Sequence, residues 1–429
     1  MASEDARYRE TSQFEAWSFS PSQLAAMREK TNSLARQRIT ERILSSASNP
    51  LAPASNNTSH ANTPDPSGNG TPNPNENGAP TLPDFLKPEE EALLISFYTS
   101  ELLRAADHLG VPDEVRATAT VFFRRFFLTN SIMTYPPQEM ILVALFVGSK
   151  AEGRFPRVVE FQQRFNTKQD ILAGEFLLAQ GNRFNFEVRH PFRALMGAMM
   201  ELRSYGDIDE QRIQAAEKRA HEILLSSPLM TDAYFHYTPS QIMFAALSLA
   251  DRGLAERLIQ ETFHFVPPTT NSDSTPAATP LPGSDSLGTA RKEGGGKGTM
   301  TNDERAAIIG TGIRDKVMGT IEACRNMLSS ELPERKSHWT SESIFKSQIR
   351  PVRKKLLKCR DPDRWNLSEL QRQRREQGLR REDSEERAAA SNGNKDAAIF
   401  GGDLPAGAPE KKRRKVGGNG LEDPFGDPL

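Results

Sequence analysis

The stretch Leu128-Thr-Asn-Ser-Ile-Met-Thr-Tyr-Pro-Pro-Gln-Glu-Met-Ile-Leu-Val-Ala-Leu145 aligns without a gap to Met230-Thr-Asp-Ala-Tyr-Phe-His-Tyr-Thr-Pro-Ser-Gln-Ile-Met-Phe-Ala-Ala-Leu247, at a constant offset of 102 residues. Thr129 and Thr231, Tyr135 and Tyr237, Pro137 and Pro239, Ala144 and Ala246, and Leu145 and Leu247 are identical pairs. In each copy proline takes the first helical position, where its missing N–H costs nothing. An acidic or amide side chain follows two residues on, and an unusually apolar run begins. Thr238-Pro-Ser-Gln241 has the form of a complete capping box, whereas Pro136 offers no capping hydroxyl in the first copy. Met140 to Val147 is apolar all round, the pattern of a helix surrounded by other helices. A repeat this long is no solenoid unit, so the duplication predicts two sequential helical domains of one fold, each around a buried central helix.

Outward from these stretches the apolar residues recur at three and four, and no alternating segment is bounded by hairpin turns. Helices are expected over Pro88 to Asp107, Glu114 to Leu128, Arg157 to Phe165, Lys168 to Gln180, Pro191 to Ser204, Asp209 to Leu225 and Pro239 to Ala250. In Glu114 to Leu128, Val115, Ala119, Phe122 and Phe126 share a face from which Arg124 and Arg125 are expected to turn away. Trp17 and Phe19 precede an amphipathic segment with Leu24, Met27 and Leu34 on or near one face. The fold class is therefore all-α.

Three tracts interrupt the helices. Residues 48–82 are dominated by Asn, Pro, Ser, Thr and Gly, a composition that buries too little apolar area to offset the entropy of ordering it. Pro267 to about Asn302 and the chain beyond about Ser391 read the same way. The expected organisation is an N-terminal helical extension (1–47), a linker (48–82), a first domain (83–188) and a second domain (189–340) with an insertion at 267–302. A basic helical region (341–385) and a tail (386–429) follow.

Composition excludes several classes. Among 429 residues the formal net charge is −1, so no global basic footprint for nucleic acid exists. Cys324 and Cys359 are the only cysteines and form no Cys-x-x-Cys pair, so neither a disulfide framework nor a cysteine zinc site is expected. Met1 to Glu10 is charged and polar, so no secretory leader is expected, and no run is long and apolar enough for a membrane helix. The seven histidines make no metal-binding spacing, and neither a Gly-rich phosphate loop nor a Gly-x-Ser-x-Gly elbow is present. Neither metal, cofactor nor catalytic residue is expected.

Val121-Phe-Phe-Arg-Arg-Phe-Phe-Leu-Thr-Asn-Ser-Ile-Met-Thr-Tyr-Pro-Pro137 resembles the second-helix signature of cyclin H, as does Leu229-Met-Thr-Asp-Ala-Tyr-Phe-His-Tyr-Thr-Pro-Ser-Gln-Ile242 in the second copy. Ala16-Trp-Ser-Phe-Ser20 with the Leu24 to Arg36 helix, Phe85-Leu-Lys-Pro-Glu-Glu-Glu91 and His190-Pro-Phe-Arg193 are similar too. The resemblance, to cyclin H of the fungal type, covers about 13–46, 83–266 and, more weakly, 303–360. It implies tandem five-helix cyclin boxes with extra terminal helices. It also implies a non-catalytic subunit of the TFIIH-associated cyclin-dependent kinase-activating kinase, supporting phosphorylation of RNA polymerase II C-terminal repeats and of other cyclin-dependent kinases. Implied partners are a cyclin-dependent kinase, a RING-finger assembly subunit and the TFIIH core.

By the same resemblance Lys150, at the end of the buried helix, and Glu175, in Ile171-Leu-Ala-Gly-Glu-Phe-Leu-Leu178, form the polar pair that meets the kinase. Phe184 and Phe186 match the apolar positions that follow; packing against the kinase and closing the first box are both open to them. The family's bulky residue and two acids after the lysine are here Ala151, Glu152 and Gly153. Helix one, Glu89-Glu-Glu-Ala-Leu-Leu-Ile-Ser-Phe-Tyr98, lacks the Met-Arg-Ala-Ile-Leu patch of cell-cycle cyclins, so that kind of substrate docking is not expected.

From Lys346 to Arg381 thirteen Lys or Arg stand against four Asp or Glu, about +9 in one segment. It reads as a solvated basic helix, with phosphate or acidic-partner binding as the alternative. Lys411, Lys412, Arg413, Arg414 and Lys415 form an import signal in a Gly- and Pro-rich tail, so a nuclear location is expected. Other readings are a DNA-contacting general factor of the same fold, of the TFIIB kind, or another transcriptional cyclin such as a cyclin C relative. The first usually carries a zinc ribbon and a basic box face, both missing from this sequence. Direct nucleic-acid binding is not expected.

Overall fold

The computed structural model describes residues 2–48, 82–165, 171–262 and 302–373, with 375–377 and 380. The import signal and most of each polar tract lie outside the described residues. Among the described residues all regular elements are helical. They divide into two compact units.

The unit containing Ser22–Phe186 takes in the segment from Trp339 onward as well. Its helices Pro88–Leu109, Asp113–Thr129, Val158–Arg164 and Leu172–Gly181 accompany the central helix Pro137–Ala151. Met140 through Ser149 of that helix are all buried, as expected of an apolar run without a polar face. Close approach between the central helix and its neighbours is built in at two glycines. A Cβ on Gly148 would lie 2.9 Å from that of Ala119, and a Cβ on Gly174 would lie 2.6 Å from Val143 Cγ2. The long helix Pro21–Ser48 is laid on this unit by Leu24, Ala35 and Ile39. Leu34 is exposed, which corrects the face expected from sequence: counted from Leu24, Ala35 and Ile39 fall on one stripe, and Leu34 falls roughly 80° away at about 100° per residue. The Asn32 amide fastens the helix further by donating to the Leu86 carbonyl at 2.9 Å.

Arg125 corrects a second expectation. It is 1% exposed, and its guanidinium donates to the carbonyl of Asn185 at 3.4 Å. The helix Asp113–Thr129 is enclosed on most of its circumference, so a position off the densest apolar face is still interior.

Glu187–His338 together with Met1–Pro21 forms the other unit. Among the described residues its five longest helices are Phe192–Ser204, Glu210–Leu224, the central Pro239–Ala250, Arg252–Thr262 and Asn302–Ser329. Thr238 completes its capping box. Its hydroxyl accepts from the Gln241 N–H at 3.4 Å, and the Gln241 carboxamide accepts from the Thr238 N–H at 3.0 Å. Pro136, in the same place of the first repeat, makes no side-chain cap.

Near the C-terminus, the basic helical region expected at 341–385 contains one π-helical turn, Phe345–Ile349, followed by the α-helix Arg350–Cys359. The basic segment does not continue as one helix, because a turn through Asp361, Pro362 and Asp363 intervenes before residues 367–373 become helical again. That turn is tied down by the Asp361 N–H on the Met133 carbonyl at 2.8 Å and by Arg364 on the Tyr135 hydroxyl at 3.2 Å.

Candidate functional site

The central helix Pro137–Ala151 is interior from Met140 to Ser149, and Lys150 emerges in its last turn. A cation there also complements the negative end of the helix. The helix Leu172–Gly181 crosses it closely because Gly174 presents no side chain to Val143. That contact brings the next residue, Glu175, to Lys150, and the two form an ion pair. Lys150 also lies 5.5 Å from the centre of the Phe146 ring. Both partners remain solvent-accessible. An exposed pair of this kind contributes only about 0–1 kcal/mol to stability. Lys150 keeps further N–H donors, and Glu175 keeps further lone pairs, for a group outside the fold.

Apolar side chains stand exposed along the same part of the chain. Phe184 is 57% exposed and lies 5.9 Å from Phe176, ring centre to ring centre, and Phe176 is exposed too. Phe186 is exposed but sets its edge against buried Phe122, with ring centres 6.0 Å apart. Of the two alternatives left by the sequence, the contact with Phe122 lets Phe186 partly close the first domain while it stays exposed, whereas Phe184 closes nothing on Phe122. Phe155, at 79% exposure, and Val159 extend the exposed apolar residues toward the first part of this segment.

The backbone contributes to this display. Arg183 and Phe184 have φ of 55° and 54°, the left-handed region that ordinary side chains rarely occupy. Each such residue costs on the order of 1–3 kcal/mol. The conformation is held by the Phe184 N–H on the Ala179 carbonyl at 2.9 Å and by the Asn182 carboxamide N–H on the Leu178 carbonyl at 2.9 Å. Sequence reasoning named Lys150, Glu175, Phe184 and Phe186. It missed Phe155, Val159 and Phe176; for Phe155 and Val159 the one signal available was a large apolar residue in a stretch otherwise rich in charge, and Phe176, in an apolar helix, gave none.

The loop after Lys150 has its own arrangement. Ala151 is exposed, Gly153 has φ +70°, and Glu152 accepts a hydrogen bond from the Thr118 hydroxyl. Glu152 is thus engaged within the fold. Among the described residues no group of His, Cys, Asp and Glu could hold a metal ion, and no helix is long and apolar enough to cross a membrane.

Residues 190–329 match the family described as the cyclin C-terminal domain. One chain of the solved CAK complex from Chaetomium thermophilum bound to ATP-gamma-S is 54% identical, with a TM-score of 0.69; the match covers 88% of this chain and 96% of that one. Cyclin CCL1 of Saccharomyces cerevisiae is 31% identical over 264 residues, 61% of this chain and 62% of the relative, so the match spans less than two-thirds of that relative's length. Cyclin mcs2 of Schizosaccharomyces pombe is 25% identical over 244 residues, 56% of this chain and 68% of the relative.

Proposed function

This chain belongs to the cyclin H family, and from that premise we propose that it is the non-catalytic regulatory subunit of a cyclin-dependent kinase. The observation that carries the reading is the accessible Lys150–Glu175 pair set among exposed Phe176, Phe184 and Phe186. Charged groups held at fixed spacing give register, and exposed aromatics give the anchors that dominate interface energy.

The cyclin performs no chemistry in this reading. It holds a kinase helix inward so that the kinase's own Lys–Glu ion pair forms, which is a shift between two existing states. Driving such an equilibrium from mostly inactive to mostly active takes about 5.5 kcal/mol of differential binding. Anchor side chains contribute about 2 kcal/mol or more each, so three aromatics and the polar pair are sufficient in magnitude. The kinase is that of the TFIIH module, acting on polymerase C-terminal repeats and on other cyclin-dependent kinases. A RING-finger assembly subunit and the TFIIH core complete the set of partners. Lys411 to Lys415 direct the chain to the nucleus.

The test is a reconstitution with the partner kinase, read by phosphorylation of polymerase repeat peptide. Adding the chain raises the rate; an unchanged rate refutes the proposed function. The double variant Lys150→Ala, Glu175→Ala loses kinase binding while keeping its helical circular dichroism. Unchanged affinity in that variant shows that the interface lies elsewhere.

A further inference from the structure

Arg350, Lys354 and Lys358 recur every fourth residue of the helix Arg350–Cys359 and so share one face, with Leu357 between them. All three cations are exposed, and Leu357 is 51% exposed. The opposite side of the helix is interior through Leu356 and Cys359. Lys355, on the flank, is already engaged by Glu90 at 2.9 Å and Asp84 at 3.1 Å. Nothing comparable balances the outer face. The helix contains no acidic residue, and among the described residues Arg350, Lys354 and Lys358 have no carboxylate within ion-pair distance. The nearest preceding acid, Glu342, pairs with Lys346, and the next one, Asp361, is buried.

We infer that this face is a docking site for an acidic segment of a partner protein, one that places an apolar side chain on Leu357 and carboxylates on Arg350, Lys354 and Lys358. The three cations span about 12 Å at the α-helical rise of about 1.5 Å per residue. Neighbours lie within a Debye length of about 8 Å, so together they present one field. An exposed leucine in the middle of that field favours a peptide over nucleic acid, because phosphates gain nothing from it. Strong duplex binding also draws on some 6–10 phosphate contacts, more than this face supplies. The nearby aromatic, Trp365, is no open stacking platform: it is half-buried, and Arg360 lies 5.8 Å from its ring centre. The face shares no residue with the Lys150–Glu175 pair, and the inference does not depend on the proposed kinase contact.

The experiment uses the full chain with Lys411, Lys412, Arg413, Arg414 and Lys415 replaced by alanine, so that the basic tail does not compete. A fluorescein-labelled peptide of Glu and Asp with a central Leu-Phe is titrated and read by anisotropy, beside a DNA duplex and the same peptide without its apolar pair. The acidic apolar peptide binds with salt-sensitive affinity and more tightly than either comparison ligand. Arg350→Glu, Lys354→Glu and Lys358→Glu together weaken it on the order of tenfold or more, since reversal turns three attractions into repulsions. Leu357→Ala weakens the apolar peptide several-fold and leaves the plain acidic one unchanged. Unchanged circular dichroism shows that the variants fold. Peptide binding that survives the charge reversal overturns the inference, and so does tighter binding of the duplex with no response to Leu357→Ala.

Discussion

Glu91 illustrates what one buried carboxyl does to a fold. Burial raises its pKa from 4.5 to about 7, although hydrogen bonds from Ser131 and Asn32 pull the other way. The protonated form is therefore the one the folded chain prefers, and the native state holds its proton over a range in which the unfolded chain has lost it. Stability from this group is fully present below the ordinary carboxylate pKa, falls as pH rises from about 4.5 to about 7, and is lost above that. A rise of this size corresponds to about 3 kcal/mol at most. Glu91→Gln keeps the acceptor for Ser131 and removes the titration. It raises the unfolding temperature relative to the parent chain at pH 8 and leaves it nearly unchanged at pH 5, as thermal melts at the two pH values would read; a shift of equal size at both would mean that burial of charge is not the cause. Neither this carboxyl nor Arg125 was legible in the sequence. Glu91 stands among three consecutive glutamates in a helix start and reads as solvated, and Arg125 reads as turned outward. Burial of both is decided by elements distant in the chain, Asn32 and Ser131 for one and Asn185 for the other.

Elements were easier to read, because periodicity is local and the packing that rewards it is repeated twice. The apolar runs located both central helices, and the Thr238 cap and its lack at Pro136 followed from residue types alone. Thr238→Ala costs about 1 kcal/mol by removing the hydroxyl that caps the Gln241 N–H. Pro136→Thr adds a hydroxyl at the first repeat's equivalent position, and urea melts of the two variants should move in opposite directions. Where helices press together the sequence said less: a glycine announces a close approach without naming its neighbour. Gly174 meets Val143, a buried, β-branched residue with little freedom to move. Gly174→Ala costs about 1–3 kcal/mol through overpacking. It also moves Glu175 relative to Lys150, so kinase affinity falls along with the melting temperature, whereas Thr238→Ala lowers only the second. The π-helical turn at Phe345–Ile349 had no such signal, since three-and-four spacing does not distinguish it from an α-helix.

At the scale of the molecule the duplication made two helical units legible, and the family resemblance supplied the Lys150–Glu175 pair that spacing alone would not have joined. The destination of the chain's first residues was not legible, because a short segment with two aromatics can be anchored on any apolar surface. The segment before Pro21 groups with the second repeat. Trp17 is 1% exposed, the Gln13 side-chain carbonyl accepts from the Arg189 N–H at 2.7 Å, and the Phe19 N–H donates to the Phe235 carbonyl at 2.8 Å. His236 closes the set with its Nδ1 2.7 Å from the Phe19 carbonyl. These partners flank His190 and Tyr234, whose side chains are hydrogen-bonded to each other at 2.8 Å, so the segment braces the start of the second repeat at the helix Phe192–Ser204 and its Tyr-x-Pro turn together. Trp17→Ala then leaves a large cavity and costs about 3–5 kcal/mol. Hydrogen exchange should quicken in peptides from 187–250, where the bonded partners lie. The helix Pro137–Ala151, which holds Lys150, makes none of these bonds and should keep its protection. Faster exchange in both would mean that the two repeats unfold as one cooperative body, and faster exchange in neither would mean that the segment is held more loosely than its burial implies.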